Sequence, residues 1–432
     1  MLGLVVFIHE LGHFIAARLC GVKVESFSLG WGPVLLKKKW GYTEYRISAL
    51  PLGGYCGMKG ENAFREALDK NLDAIPAESD SFYGVHPFKR ILISFAGPVS
   101  NLLFAVLALT LVSALGTTYS TYDSRIVPAS LYEGNAEAPI DIAGLVEGDR
   151  ILSLNGKKVA TYTDIQQLIG MHPQEALTLT YEHNGQNYST TLTPLLDKKT
   201  GAGKIGVYPY IPLLVEKVKA GSAADTTGIK KGDIITAVNG IPVTHYLQFS
   251  KLLDKKPEQI TVTVLRNALE KTYPLVLIYS KDGIVSTGID WQTITVQIPG
   301  TGFFSSIGSG IKETGNIIFL TVKSIGLLFK GVNLSEAVSG PVRITMMIGD
   351  VAQTGFSALA EFMSIICVSL FIMNLLPIPV LDGGLILFSL IEWIARKPVK
   401  PRTLYYVQFI GIIFIAAIFL LSLFGDIRFL MK

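Results

Sequence analysis

Apolar residues along this chain fall in clumps. Leu2 to Cys20 is an apolar run broken by His9, Glu10 and His13, with Arg18 near its end. Ile91 to Leu115 carries no charge over 25 residues. At a helical rise of 1.5 Å per residue it extends about 37 Å, enough to cross a bilayer with tilt. Phe356 to Leu376 is a third run, with Glu361 near its start, and Leu404 to Phe424 is a fourth, uncharged throughout. A weaker segment, Ile307 to Leu328, carries Lys312, Glu313 and Lys323. It reads as an amphipathic helix lying on the membrane. The stretch 117–300 is polar and turn-rich, with alternating strands. The pattern predicts a polytopic α-helical membrane protein of four transmembrane helices that carries an inserted β-rich part.

Composition agrees. Charged residues make up 17% of the 432 positions and apolar residues 49%, against about 25% charged in soluble domains. That balance excludes a disordered chain, and three cysteines exclude a disulfide scaffold. Cys20, Cys56 and Cys367 read as buried thiols. Net charge is +4, with no basic stripe interleaved with aromatics, so no nucleic-acid partner is expected. The link between the first two runs holds Lys37, Lys38, Lys39, Arg46, Lys89 and Arg90. The link between the last two holds Arg396, Lys397, Lys400 and Arg402. Both links are therefore expected on the cytoplasmic side, with 117–300 outside. Only eight residues precede His9, and we expect the chain to begin inside its first helix. Glu61 to Phe82 reads as an acidic, mobile linker. His86, His172, His183 and His245 read as surface or loop residues.

The inserted part contains a repeat. Gly144-Leu-Val-Glu-Gly-Asp-Arg-Ile-Leu-Ser-Leu-Asn-Gly156 matches Gly228-Ile-Lys-Lys-Gly-Asp-Ile-Ile-Thr-Ala-Val-Asn-Gly240, 84 residues later. Asn-Gly after an alternating strand is a tight-turn signal. The signature resembles PDZ domains in two copies, expected over 117–212 and 213–300. Such domains bind extended peptides by adding a strand to a sheet edge.

The chemistry is concentrated in His9-Glu10-Leu11-Gly12-His13. On a helix, positions i and i+4 share a face, so both imidazoles can reach one metal ion. Glu10, one position round, can serve as acid and base. The pattern suits Zn²⁺, whose catalytic sites use three protein ligands. Two histidines and a glutamate inside a membrane helix are costly unless used. A third ligand ten residues after the first fails, because that position is Leu19. Asp350, Glu361 and Asp382 are the membrane-proximal candidates. His9 and His13 lie on the cytoplasmic half of the first run, and only the end of the third run reaches that depth. That favours Asp382, in Asn374-Leu-Leu-Pro-Ile-Pro-Val-Leu-Asp-Gly-Gly384, where Pro377 and Pro379 break the helix.

Together these motifs resemble the site-2 protease family of intramembrane zinc metalloproteases. Two PDZ copies and four crossings are most similar to its bacterial branch, found in the inner membrane. The resemblance implies His9, His13 and Asp382 as zinc ligands and Glu10 as the catalytic acid/base. It implies Asn374 as a substrate contact, and Gly97-Pro98 with Asn101, and Ser339-Gly340-Pro341-Val342, as family landmarks. Tyr45-Arg-Ile-Ser-Ala-Leu-Pro-Leu-Gly-Gly-Tyr-Cys-Gly-Met58 is similar to the family's membrane-dipping β-hairpin, expected over 44–58, so Gly53, Gly54 and Tyr55 would hold substrate in extended form. The implied reaction is hydrolysis of a peptide bond within the transmembrane segment of a single-pass protein, such as an anti-sigma factor, after a first extracytoplasmic cut. The PDZ pair would filter access or bind peptide ligands. A zinc-bearing membrane scaffold or chaperone is the non-enzymatic alternative; a structural zinc site would need four protein ligands. A metal transporter would need polar residues along several helices, and runs two and four carry no charged residue or histidine.

Overall fold

A computed structural model describes residues 1–133, 138–198, 200–279, 287–328 and 340–431. The chain divides into two units: 1–117 together with 298–432, and 118–297.

The first unit is helical. Its helices are α1 (Leu2–Leu19), α2 (Pro87–Leu115), α3 (Phe303–Leu328), α4 (Pro341–Thr354), α5 (Phe356–Asn374), α6 (Asp382–Ala395) and α7 (Pro401–Leu430). Among the described residues, α1, α2, α5 and α7 are long and apolar enough to cross a membrane. Helix α2 is central and touches α1, α3, α5 and α6. A small apolar core forms where α1, α2 and α5 meet: Val5, Ala105, Cys367 and Val368. Helix α3, the segment expected as an amphipathic helix, packs against α2. Ser306, Gly310 and Thr314 form a narrow stripe of small residues on it, and Gly310 sits against Val106 and Thr110 of α2. Small residues let two helix backbones approach closely. Lys312 and Glu313 are exposed, and Lys323 is half-buried.

Two helices of 14 residues, α4 and α6, were not expected. Both are too short to span, so a search for long apolar runs passes over them. Gly340 is the N-cap of helix α4. Asp426 of α7 accepts hydrogen bonds from the Gly340 and Val342 amides at 3.1 and 2.8 Å and so caps it. The first residue of the Ser339–Val342 landmark lies outside the described residues.

The hairpin expected over 44–58 is larger. Residues Thr43–Met58 form one strand, β2, whose partner is β1 (Val24–Trp40), with the turn at Gly41-Tyr42. The stretch holding Pro51, Gly53 and Gly54 lies where the pairing register shifts. Phe27 faces Cys56 on one side and Tyr45 on the other, and Lys37 faces Arg46. The segments therefore run in the order 36–40, 43–47, 26–29, 54–57. Among the described residues, 54–57 pair on one side only.

The linker 61–82 is likewise more ordered than expected. A helix covers Glu61–Asp69. Lys59 donates to Glu78 and Asp80 at 2.6 and 2.7 Å, and Lys23 reaches Asp80 at 2.9 Å. The hydrogen bonds from Lys59 and Lys23 hold the Asp80 carboxyl down at about 2.

The second unit holds two copies of one plan. A four-stranded sheet runs Lys157–Lys158, Arg150–Leu154, Leu177–His183, Gln186–Leu192. Its counterpart runs Ile241–Pro242, Ile234–Val238, Gln259–Arg266, Leu269–Val276. Helices Tyr162–Gly170 and Tyr246–Leu253 complete them, over separate apolar cores around Ile151 and Ile235. The repeat motif has a local cause. Asn155-Gly156 and Asn239-Gly240 all have positive φ, as a two-residue hairpin turn requires. Asn155 and Asn239 accept from the Thr178 and Thr261 amides at 2.8 and 2.7 Å. The motif aspartates Asp149 and Asp233 accept from the Val146 and Lys230 amides.

His245, read from the sequence as a surface or loop residue, caps a helix from the preceding loop but is wholly buried between the copies. Its Nδ1 accepts from the Leu247 amide at 3.2 Å, capping the second helix. Its Nε2 lies 3.0 Å from Glu147 and 3.1 Å from the Tyr132 hydroxyl. Gln248 donates to Glu147 at 3.0 Å. Burial pulls the His245 pKa below its ordinary value against the opposing pull of Glu147, and burial with Glu147 nearby pushes Tyr132 up to about 12. A histidine with a depressed folded pKa binds fewer protons folded than unfolded, so its contribution to stability falls as pH drops below the unfolded value, about 6.5. Hydrogen exchange at the Leu247 amide should therefore speed up between pH 7.5 and 5.5 in the wild type beyond its intrinsic change. In His245→Gln that extra pH dependence should be absent.

Candidate functional site

Helix α1 turns His9 and His13 to one buried face. Gly12 lets that face lie against α2, since a Cβ there would run into the Ala96 carbonyl and the Ser100 hydroxyl. On α2, Gly97 leaves the space that the His13 ring occupies. His13 Nδ1 lies 2.8 Å from the Ile93 carbonyl. Donation to that carbonyl keeps the proton on Nδ1 and turns the Nε2 lone pair inward. His9 Nδ1 faces the Asn101 side-chain amide at 3.4 Å. Asn101 is wholly buried and its Oδ1 is otherwise unpartnered. Turning the amide over gives that oxygen the His9 Nδ1–H.

Asp382 is the first residue of α6. The chain reaches it through a tight loop in which the Ile378 amide donates to Leu376 and the Leu381 amide to Ile378. A Cβ at Gly383 would strike the Leu375 and Leu376 carbonyls, and one at Gly384 the Ile378 carbonyl. Asp-Gly-Gly is thus what the fold of this loop demands. Gly411 of α7 packs on Pro379 and Val380 from outside.

These elements bring three ligand atoms together. His9 Nε2 lies 3.1 Å from Asp382 Oδ2, His13 Nε2 lies 3.3 Å from Asp382 Oδ1, and the two Nε2 atoms are 3.2 Å apart. A tetrahedron with ligand distances of about 2.0–2.1 Å has edges of about 3.3–3.4 Å. Two inward lone pairs and a carboxylate at this spacing repel one another unless a cation lies between them. The donor set therefore fits Zn²⁺ with three protein ligands, leaving a further position for reaction chemistry.

Glu10 stands beside the trio. Its charge couples to His13, His9 and Asp382, and the Cys56 amide of β2 hydrogen-bonds to it. A Cβ at Gly54 would sit 3.6 Å from Glu10 Cγ, so β2 passes directly by the acid/base candidate. Gly53 packs instead under the Trp31 ring. Tyr55 is held within the ribbon, its hydroxyl accepting from Arg46 at 2.7 Å. Asn374 ends α5 half-buried, with no side-chain hydrogen bond among the described residues. Asp350 and Glu361 are not part of the cluster. Sequence reading passed over the Ile93 carbonyl, which has no residue-type signal. It also gave Gly97 and Asn101 no role, although their four-residue spacing places them on one face of α2.

Asn101→Ala should weaken metal affinity about 10–100-fold, the usual cost of removing a group that orients a ligand. Competition against a chelator of known affinity measures it. Gly97→Val, which drives into the His13 ring, should lose metal further.

The sequence pattern of peptidase family M50 matches residues 1–418. A Treponema pallidum protein named as a zinc metalloprotease is 48% identical over 439 residues, covering 100% of this chain and 98% of its own length. The regulator of sigma-E protease RseP of Escherichia coli is 31% identical over 450 residues, covering 98% and 96%. The regulator of sigma E protease of Haemophilus influenzae is 29% identical over 452 residues, covering 98% and 96%. With a match of this extent, the chain belongs to peptidase family M50 and is a zinc-dependent metalloprotease.

Proposed function

We propose that this metalloprotease cuts peptide bonds inside the membrane, within the transmembrane segment of single-pass proteins. The observation that carries the reading is the His9–His13–Asp382 cluster with Glu10 beside it, the two histidines and Glu10 lying on α1, a helix long and apolar enough to span. His9, His13 and Asp382 hold zinc, the Ile93 carbonyl fixes the His13 tautomer, and Asn101 does the same for His9. When bound, zinc supplies Lewis acidity, which polarises a carbonyl and makes water acidic enough to act near neutral pH. Glu10 takes the proton from the attacking water and delivers it to the departing amine.

A transmembrane helix hides its amides in its own hydrogen bonds and must unwind before hydrolysis. The edge of segment 54–57 that pairs with no strand among the described residues, next to Glu10, can take the unwound segment as an added strand and satisfy its freed backbone groups. Gly53 and Gly54 keep that surface free of side chains, and Asn374 is a further contact with the substrate. The protein resides in the bacterial inner membrane with the zinc site towards the cytoplasm. The two PDZ-type modules lie outside, where they exclude substrates with bulky extracytoplasmic domains or bind peptide ends.

Incubating the purified protein with a single-pass membrane peptide, with and without chelator, tests the reading. Cleavage inside the apolar segment that stops with chelator supports it; cleavage only in flanking polar sequence contradicts it. Glu10→Gln should keep zinc yet lose at least about 10²-fold in rate, the typical worth of a general acid/base. His9→Ala and Asp382→Asn should lose metal as well. Deleting 118–297 should allow untrimmed substrates to be cut; unchanged selectivity would remove the filtering role.

A further inference from the structure

Away from the zinc site, the start of α2 and the end of α6 enclose an open cavity of about 930 Å³. Its lining includes His86, Arg90, Trp393, Arg396 and Lys397. We propose that this cavity binds the phosphate group of an anionic phospholipid.

Three features point to an anion. Arg90 is buried and pairs through Nη2 with the equally buried Glu392. The other Glu392 oxygen is occupied by the Val399 amide at 2.9 Å. Arg90 Nε is left buried without an acceptor, a costly state for a charged donor. Arg396 and Lys397 add two positive charges at the same cavity, and neither has an ion-pair partner among the described residues. Arg396 also stands at the end of α6 with φ of 53°, a conformation that glycine ordinarily supplies. Holding an arginine there keeps a basic residue in the cavity lining despite the backbone strain.

The surroundings point to a lipid as the source. Trp393 packs edge-on or tilted against His86 and Phe88, with ring centroids 6.1 and 5.5 Å apart, and both Trp393 and Phe88 are partly exposed. Aromatic residues of this kind mark the headgroup level of a membrane. Leu92, Ile391 and Ile394 continue from there as exposed apolar surface that an acyl chain can cover. Basic cavities between membrane helices on the side richer in Lys and Arg suit anionic headgroups. The occupant would bridge α2 and α6. Arg90 lies one turn before Ile93, whose carbonyl holds His13, and Glu392 lies on the helix that begins with Asp382.

The test uses the full chain in detergent, followed by native mass spectrometry and thermal melting with phosphatidylglycerol, phosphatidylcholine or inorganic phosphate. The double variant Arg396→Gln/Lys397→Gln leaves the Arg90–Glu392 pair intact. Wild type should retain one phosphatidylglycerol and melt higher with it than with phosphatidylcholine. The double variant should retain it roughly tenfold less or weaker still, as loss of two basic residues implies. Arg396→Gly relieves the backbone while deleting the guanidinium. It should melt higher than wild type without lipid and lose most of the lipid-dependent gain, which keeps the test valid if the double variant folds poorly. Stabilisation by inorganic phosphate alone, lost in both variants, would support the phosphate site and assign it a soluble source. Equal retention of phosphatidylglycerol by wild type and Arg396→Gly, or equal retention of the two lipids by wild type, would overturn the proposal.

Discussion

Polar groups buried among apolar helices must find partners, and α2 is where this protein supplies them. One end of the helix gives Arg90 to Glu392 of α6. One turn on, the Ile93 carbonyl receives His13, and two turns further Asn101 meets His9. Gly97 between them leaves room for an imidazole. Helices from opposite ends of the sequence, α1 and α6, are thus registered against one central helix. The carboxylate of Asp382 can meet His9 and His13 only because both helices hold to it. A buried pair such as Arg90–Glu392 adds little net stability over an apolar substitute, but breaking one partner is strongly destabilising. Its value here lies in fixing the position of α6.

The loop before Asp382 illustrates how sequence and chemistry meet. Pro377 and Pro379 stop α5, and Gly383 and Gly384 allow the chain to fold back onto the carbonyls of 375–378. A carboxylate then emerges at the first position of α6, where the partial positive charge of a helix start favours an anion. Irregular backbone at membrane depth is tolerated where it is buried in protein or lines a polar cavity. Packing of Gly411 against Pro379 and Val380 provides the protein cover. On the other side of Glu10, the β1–β2 ribbon brings a strand segment that pairs on one side only. The combination places a strand segment directly beside Glu10.

Much of this was legible from residue types and spacing. Four long apolar runs announced four long helices, and the two Asn-Gly turns announced the repeat, because each signal is local. The His-Glu-x-x-His spacing placed two imidazoles on one helix face, and the broken helix before Asp382 pointed to the carboxylate that lies beside them. What escaped notice depends on tertiary packing. Helices α4 and α6 are short, so no run of spanning length reveals them. The ribbon was read as a hairpin inside 44–58, because its true partner, 24–40, lies before it and carries exposed lysines. The burial of His245 has no local signal, since its partners Tyr132 and Glu147 lie more than ninety residues away. The Ile93 carbonyl is backbone, which no reading of side chains can single out.

The most direct measurement is X-ray absorption at the zinc edge on wild type and Asp382→Cys. The wild-type spectrum should show imidazole and oxygen scatterers with no sulfur. The variant should acquire one sulfur at about 2.3 Å, because a thiolate now occupies the third ligand's place. A variant spectrum without sulfur, at full zinc occupancy, would show that the chain's far end does not complete the site and would contradict the account.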